Sequence, residues 1–230
     1  EGIRNNMLNF LENHDEQRLA STFFAGNPLK GKAPLLVSAL MYTNPMMIYF
    51  GQELGEKGMD AEGFSGEDGR TTIFDYWTVD TIRRWRNNGK FDQKLLTEDE
   101  LSLQEYYAKV LNICNSSEAV KEGEFYDLMY VNPQLQKQYT FVRHSEKETL
   151  LVIANFASQE TEITINVPEH LFEYYGIKEN TACEWTDLLS RNQITTAFSS
   201  NMPTKLTVPS WGGCILKMKS VKKAGKKTKS

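Results

Sequence analysis

Residues 7–15 read MLNFLENHD, and this stretch decides the fold that the sequence predicts. Met7–Leu11 is a short apolar run, which indicates a buried strand. The run ends abruptly in the polar cluster Glu12-Asn13-His14-Asp15. Such side chains are costly to bury without hydrogen-bond partners. The residues alone leave two interpretations equally open: the cluster lines the mouth of a pocket, or it is the satisfied start of a loop.

A helix and a second strand follow this stretch. Ala33–Thr43 has a broad apolar face at helical spacing, and Asn44-Pro45 ends the helix. Met46–Phe50 is a second apolar run, closed by Gln52 and Glu53. Strand, helix and strand over about 45 residues predict a βαβ unit with parallel strands and a right-handed crossover.

The chain changes character near residue 118. Before it, Asp80–Arg86 is helical in pattern, and Thr97-Glu98-Asp99-Glu100 is a capping box that predicts a helix to about Asn115. After it, short alternating segments predict an antiparallel β-sandwich, with a short helix at Pro168–Tyr175. The predicted strands are Gln138–Arg143, Thr149–Asn155, Thr161–Val167, Ala182–Thr186, Thr204–Val208 and Gly213–Lys217. We therefore predict an α/β part over residues 1–118, a β-sandwich domain over 119–218 and a basic, solvated tail over 219–230.

Composition excludes several classes of function. The net charge is −4, and the last twelve residues alone hold six lysines, so the body of the chain is strongly acidic. An acidic body argues against nucleic acid as a partner. No run reaches the roughly 18 apolar residues that a membrane span requires. The three cysteines, Cys114, Cys183 and Cys214, are far apart and odd in number, so we expect free thiols and no metal site.

The polar cluster has a chemistry that suits sugars. A carboxylate beside an imidazole offers acceptors and a donor to neighbouring hydroxyl groups. Retaining glycoside hydrolysis needs a nucleophile and an acid/base carboxyl group about 5–5.5 Å apart. A further carboxylate that binds adjacent hydroxyls strengthens its contacts as the sugar ring flattens, and so acts on the transition state.

The segment Phe10-Leu11-Glu12-Asn13-His14-Asp15-Glu16-Gln17-Arg18 strongly resembles the fourth conserved region of the α-amylase family, glycoside hydrolase family 13. Residues 45–53 (PMMIYFGQE) resemble the eighth barrel strand of that family, and residues 68–77 (DGRTTIFDYW) resemble the segment after it. The resemblance implies the last two βα units of a (β/α)8 TIM barrel followed by the sandwich domain. It implies that Asp15 is the transition-state-stabilising carboxylate and that His14 and Asn13 bind substrate. Arg18 and Glu53 lie close in sequence to these strand ends and are expected to support the site, or to form a structural ion pair or loop anchor.

The signatures that carry the nucleophile and the acid/base of the family are not among these 230 residues. We therefore expect a C-terminal portion of a hydrolase of α-1,4-glucans that is inactive by itself. Two alternatives stay open: a non-catalytic carbohydrate-binding or structural piece, and a transglycosylase or isomerase of the same family. An isolated quarter of a barrel leaves the apolar faces of its two strands open, so we expect it to pair with another copy or to refold locally at this open edge.

The remaining expectations concern ligands and location. We predict an α-glucan oligo- or polysaccharide as partner, no nucleic acid and no membrane span. No cofactor is expected in this chain, although the resemblance allows calcium in the parent enzyme. Asp60, Glu62, Glu67 and Asp68 lie in a glycine-rich loop but lack the spacing of an EF-hand, which favours a solvated acidic loop. The sequence leaves localisation open, with export or the cell surface slightly favoured over the cytoplasm.

Overall fold

The computed structural model describes residues 3, 6–59, 67–72 and 79–219. Strand β1 (Asn9–Phe10) pairs in parallel with β2 (Met46–Met47), and helix α1 (Lys32–Leu40) connects them. This confirms the predicted βαβ order, but each strand has only two residues instead of five. Within the described residues neither strand has a second neighbour, so the ladder stays short. One parallel pair is compatible with several α/β folds, so the barrel itself stays a prediction.

Three further helices precede the sandwich. Helix α2 (Asp80–Arg86) has the predicted bounds, and α3 (Glu98–Ser116) begins at the predicted capping box. The Glu100 backbone N–H donates to Thr97 Oγ1 (3.2 Å), and the Thr97 N–H donates to Glu100 Oε2 (2.8 Å). A single turn of helix, α4 (Glu118–Lys121), follows directly. These caps satisfy backbone donors that would otherwise lack partners, which is why the local pattern was sufficient to predict the start of α3.

The β region forms two sheets. The larger sheet has six strands in the order β3-β4-β5-β10-β7-β8, and the smaller sheet pairs β6 with β9. The strands are β3 (Glu124–Asp127), β4 (Gln138–His144), β5 (Thr149–Asn155), β6 (Thr161–Ile165), β7 (Asn180–Asp187), β8 (Gln193–Phe198), β9 (Thr204–Val208) and β10 (Gly213–Met218). Helix α5 (Glu169–Tyr175) lies between β6 and β7 in the chain. All pairings in both sheets are antiparallel, as the sequence predicts. Strands β3 and β8 were missed by the prediction.

Two apolar cores lie on the two faces of the six-stranded sheet. One core, which includes Val142, Leu151 and Trp185, packs against the small sheet and α5. The other, which includes Phe141, Leu150 and Val152, packs against α1 and α3. Successive residues of a strand point to opposite faces, so β4 and β5 supply both cores in alternation. This explains why every residue of β5 is buried.

Gly213 permits the close approach of α1 to the sheet. A Cβ atom at this position would lie 2.0 Å from the Ile153 carbonyl oxygen and 2.5 Å from Leu36 Cδ1. No other residue type fits there without displacing the backbone of β5 or the side chain of α1. The glycine therefore sets the distance between the helical layer and the sheet.

Arg143 joins the helices to the sheet. Its guanidinium is buried and donates to the carbonyl oxygens of Met41 (2.7 Å), Ala119 (3.0 Å), Val120 (2.8 Å) and Gly123 (2.7 Å). Several of these carbonyls end α1 and α4, where the helix dipole favours a positive charge. Burial lowers the pKa of Arg143 to about 10. The side chain therefore caps two helix ends from a strand of the sheet.

A tryptophan and two histidines of the β region lie in regular structure. Trp185 is fully buried in the sandwich core, where its ring packs against Phe198. His144 ends β4, and His170 lies in α5. All three cysteines are free thiols. No helix among the described residues has both the length and the apolar character to cross a bilayer.

Candidate functional site

The triplet Asn13-His14-Asp15 lies just beyond the carboxyl end of β1. The Asn13 side-chain carbonyl accepts hydrogen bonds from the backbone N–H of Asp15 (2.8 Å) and of Glu16 (3.0 Å). This turn redirects the chain and leaves the His14 and Asp15 side chains 58% and 72% exposed. His14 Nε2 lies 3.5 Å from Asp15 Oδ1. The site thus presents an imidazole and a carboxylate side by side to solvent.

A buried ion pair lies behind this exposed pair. Arg18 Nη1 donates to Glu12 Oε2 at 2.8 Å, and the two side chains are 0% and 2% exposed. The other carboxylate oxygen of Glu12 accepts the Leu19 backbone N–H at 2.7 Å. Burial raises the pKa of Glu12, and the Arg18 charge offsets part of that effect. The pair therefore fixes both ends of the loop that carries His14 and Asp15.

Arg18 also connects this loop to the end of β2. Its Nη2 donates to the Phe50 carbonyl (2.7 Å), and its Nε donates to Thr71 Oγ1 (2.8 Å). The guanidinium carbon lies 4.3 Å from the centre of the Tyr49 ring, within cation–π range. These contacts and the ion pair with Glu12 agree with a structural ion pair at Arg18, and its support of the site stays a prediction.

Glu53 lies in a 3-10 turn, Gln52–Leu54, just past β2. Burial raises the pKa of Glu53, and the charge of Arg18 partly opposes the rise, so the two groups lie within electrostatic range. The hydrogen bonds of the described residues include none between Glu53 and the triplet. Its proposed support of the site therefore remains a prediction.

Sequence reasoning missed an arginine that is electrostatically coupled to the triplet. Arg70 pairs with Asp68 at 2.5 Å (Nη2 to Oδ2), and hydrogen bonding to Asp68 raises the pKa of Arg70. The charges of Asp15 and Glu16 raise the pKa of Arg70 further, so these two carboxylates lie within electrostatic range of Arg70. Between the pair, Gly69 has φ +81°, and its carbonyl accepts the Arg18 backbone N–H at 2.8 Å. No spacing rule links Arg70 to Asp15, so sequence reasoning did not connect the two residues.

The described residues include no group of three His, Cys, Asp or Glu side chains that could hold a metal ion. Two of the acidic residues weighed for calcium, Asp60 and Glu62, lie outside the described residues. Trp85 contacts Phe91 at 5.0 Å between ring centres, which favours a packing role for Trp85.

Comparison with known protein families finds a match within the β region of the chain. Residues 128–215 match the family model described as the C-terminal domain of maltogenic amylase. No curated protein sequence matches the chain.

Solved structures share the fold over nearly the whole chain. Geobacillus thermoleovorans α-amylase, solved with acarbose, has a TM-score of 0.61 at 14% identity, covering 94% of this chain and 40% of its own. AmyP, solved with maltose, has a TM-score of 0.63 at 16% identity; the match covers 91% of this chain and 40% of AmyP. The trehalulose synthase MutB of Pseudomonas mesoacidophila has a TM-score of 0.53 at 19% identity; the match covers 92% of this chain and 43% of MutB. This chain thus spans about two fifths of the length of the structures it matches, and at these identities the likeness shows a shared fold.

The chain thus has an α/β segment followed by an antiparallel β-sandwich. Residues 128–215 resemble the C-terminal domain of maltogenic amylase, and the chain shares its fold with α-amylases, which agrees with the resemblance drawn from residues 10–18, 45–53 and 68–77.

Proposed function

We propose that this chain is the C-terminal part of a retaining glycoside hydrolase that acts on α-1,4-glucans, with Asp15 as its transition-state-stabilising carboxylate. One observation carries the proposal: His14 and Asp15 are exposed at the carboxyl end of a parallel strand and are held from behind by a buried ion pair. Catalytic groups of α/β barrels lie at this end of the strands. The complexes of matched structures with acarbose and maltose support a sugar as ligand.

In this proposal each residue of the triplet has a separate task. The Asp15 carboxylate accepts hydrogen bonds from adjacent sugar hydroxyls and strengthens them as positive charge develops on the ring. His14 and the Asn13 side-chain NH2 group bind hydroxyls of the same sugar, while the Asn13 side-chain carbonyl holds the turn that presents His14 and Asp15. The nucleophile and the acid/base are supplied by other βα units of the barrel. Glu12 and Arg18 position the loop without touching substrate.

Exposed apolar side chains support the barrel part of the proposal. Met7, Leu8 and Phe10 at β1, and Phe23 and Phe24 in the following loop, are each about half exposed. A neighbouring barrel strand and its helix would cover such a seam, because closure removes open sheet edges. In the isolated chain, pairing of two copies through this seam is the alternative way to cover it.

The reaction type is tested by product analysis. The fold is shared with a trehalulose synthase as well as with amylases, so isomerisation stays open beside the proposed hydrolysis. Chromatography of the products from maltoheptaose separates the two outcomes. Shorter maltooligosaccharides support hydrolysis, whereas a sugar of unchanged size and altered linkage supports isomerisation.

The decisive experiment is Asp15→Asn in the intact enzyme that contains this chain. We expect kcat to fall about 10³-fold with little change in KM, because the contact strengthens only in the transition state. Glu16→Gln is the matched control, since Glu16 is the adjacent exposed carboxylate. An Asp15→Asn enzyme with unaltered kcat would overturn the assignment. The isolated 230-residue chain should not hydrolyse starch.

A further inference from the structure

A cluster of aromatic side chains lies on the surface of the sandwich, away from the triplet. It consists of Tyr126 on β3, Tyr130 in the following 3-10 turn (Met129–Val131), and His170, Tyr174 and Tyr175 on α5. Tyr126 is central: its ring centre lies 6.0–6.4 Å from each of the other four rings. Tyr130 and Tyr174 are nevertheless 62% and 55% exposed. Large aromatic side chains usually bury most of their surface, so an exposed group of them indicates a binding surface.

Hydrogen bonds hold these rings in place. The Tyr126 hydroxyl lies 2.8 Å from the Tyr130 hydroxyl and 2.9 Å from His170 Nδ1. The Tyr174 hydroxyl donates to the Glu124 carboxylate, and the Tyr175 hydroxyl donates to the Glu124 carbonyl (3.2 Å). A ring that is already fixed loses little conformational entropy when a ligand stacks on it. The surface is therefore preorganised, although two of its rings are exposed.

The chemistry of the cluster selects a neutral, hydroxyl-rich ligand. Among the described residues, the one carboxylate or cationic side chain that hydrogen-bonds into the cluster is Glu124, which disfavours an anionic partner. Phenol, imidazole and carboxylate groups offer both donors and acceptors at the edges of the rings. Tyr174 and Glu124 also line an adjoining cleft of about 390 Å³, together with Tyr42, Thr43 and Arg143. The Arg143 guanidinium donates to four backbone carbonyl oxygens and is buried. Small-molecule sites occupy about 300–1,000 Å³.

We propose that Tyr130 and Tyr174, with Glu124, form a second carbohydrate-binding site that holds a neutral oligosaccharide by stacking on its sugar rings. That the oligosaccharide is an α-1,4-glucan rests on the proposed function of the chain; the stacking site itself does not. A sugar ring presents an apolar C–H face to the tyrosine and its hydroxyls to the flanking polar groups. The site retains polymeric substrate without taking part in the reaction.

Affinity electrophoresis of the 230-residue chain tests this site, with soluble starch in one gel and a soluble β-1,4-glucan in another. We expect starch to retard the wild-type protein, and the double variant Tyr130→Ala/Tyr174→Ala to bind about tenfold more weakly, a loss of about 1.4 kcal/mol. Tyr130→Phe/Tyr174→Phe keeps both rings and should retain most of the retardation. Phe156→Ala, which removes an exposed aromatic side chain outside the cluster, should migrate like wild type. Circular dichroism verifies that each variant is folded.

Each outcome decides a separate question. No retardation of the wild type in either gel, or equal retardation of the double alanine variant, overturns the site. Tyrosine-dependent retardation in the β-glucan gel alone supports the site and removes the support for α-glucan as its ligand. Neither result depends on catalysis, which the Asp15→Asn experiment tests in the intact enzyme.

Discussion

Replacing Arg18 by methionine should destabilise the loop around the triplet by about 3–4 kcal/mol at pH 7, because the buried Glu12 carboxyl group loses its ion-pair partner. Without the guanidinium, the buried Glu12 must remain ionised in an apolar site or bind a proton. Its ordinary pKa is 4.5, so holding it protonated at pH 7 costs 1.36 kcal/mol for each of 2.5 pH units, or about 3.4 kcal/mol. Removal of one partner from a buried ion pair typically costs about 3–5 kcal/mol, which agrees.

The penalty should depend on pH in a defined direction. Burial raises the folded-state pKa of Glu12, and loss of Arg18 raises it further, because the opposing charge is gone. A carboxyl group with a raised folded-state pKa favours folding most below its unfolded pKa, and this contribution is lost as pH rises toward the folded-state value. At pH 5, which is 0.5 unit above the ordinary pKa of 4.5, protonating Glu12 costs only about 0.7 kcal/mol. The variant should therefore be much closer to wild type at pH 5 than at pH 7.

Amide hydrogen exchange of Leu19 measures this directly, since its N–H donates to Glu12 at 2.7 Å. Protection is compared between wild type and Arg18→Met at pH 5 and pH 7, after correction for intrinsic exchange rates. The double variant Glu12→Gln/Arg18→Met is the control, because it has no carboxyl group to titrate and should lose the pH dependence. An Arg18→Met penalty of equal size at the two pH values would refute the reasoning.

Three further predictions concern the fold. Arg143→Met should lower the free energy of unfolding by at least about 3 kcal/mol in urea titrations, because buried carbonyls lose their donor, whereas Arg83→Met on the surface should change it by less than about 0.5 kcal/mol. Gly213→Ala should cost about 1–3 kcal/mol by overpacking against Ile153 and Leu36, while Gly212→Ala, whose nearest contact would be 3.5 Å, should be nearly neutral; equal effects would contradict the proposed close approach. Burial raises the thiol pKa of Cys114 and Cys214 to about 12 and that of Cys183 to about 11. A thiol reagent at pH 8 should therefore label these cysteines slowly in the native protein and rapidly in urea. Fast labelling of the native protein would count against the packing.

The parts of the fold that the sequence predicted correctly are those set by local rules. The capping box at Thr97 and Glu100 begins α3 at the expected residue, and the apolar run Thr149–Asn155 is a strand over its full length. Strand β3 (Glu124–Asp127) was missed because it is a short edge strand with no fully buried residue. Strand β8 (Gln193–Phe198) was missed because most of its residues are polar or half-exposed. Pairing with a neighbouring strand, not composition, determines these two.

The triplet was located by its motif, but the groups that hold it were not. Arg18 was placed near Asp15 from sequence proximity, whereas its buried partner is Glu12, because the turn at Asn13 brings residues 12 and 18 together. Arg143 follows the alternation of a strand and would be read as a surface residue, yet it is buried under the ends of α1 and α4. Contacts between distant elements of this kind leave no periodic signal in a single sequence.

The six-stranded sheet contributes side chains to two hydrophobic cores, one on each face. Phe141 and Val142 are consecutive residues, yet one faces the helical layer and the other faces the small sheet. Cleavage at the predicted boundary near residue 118 would remove α1 and α3 from one face of the sheet and expose Phe141, Leu150 and Ile215 to water. The sandwich released in this way should aggregate, and calorimetry of the uncut chain should show both interiors melting in one step.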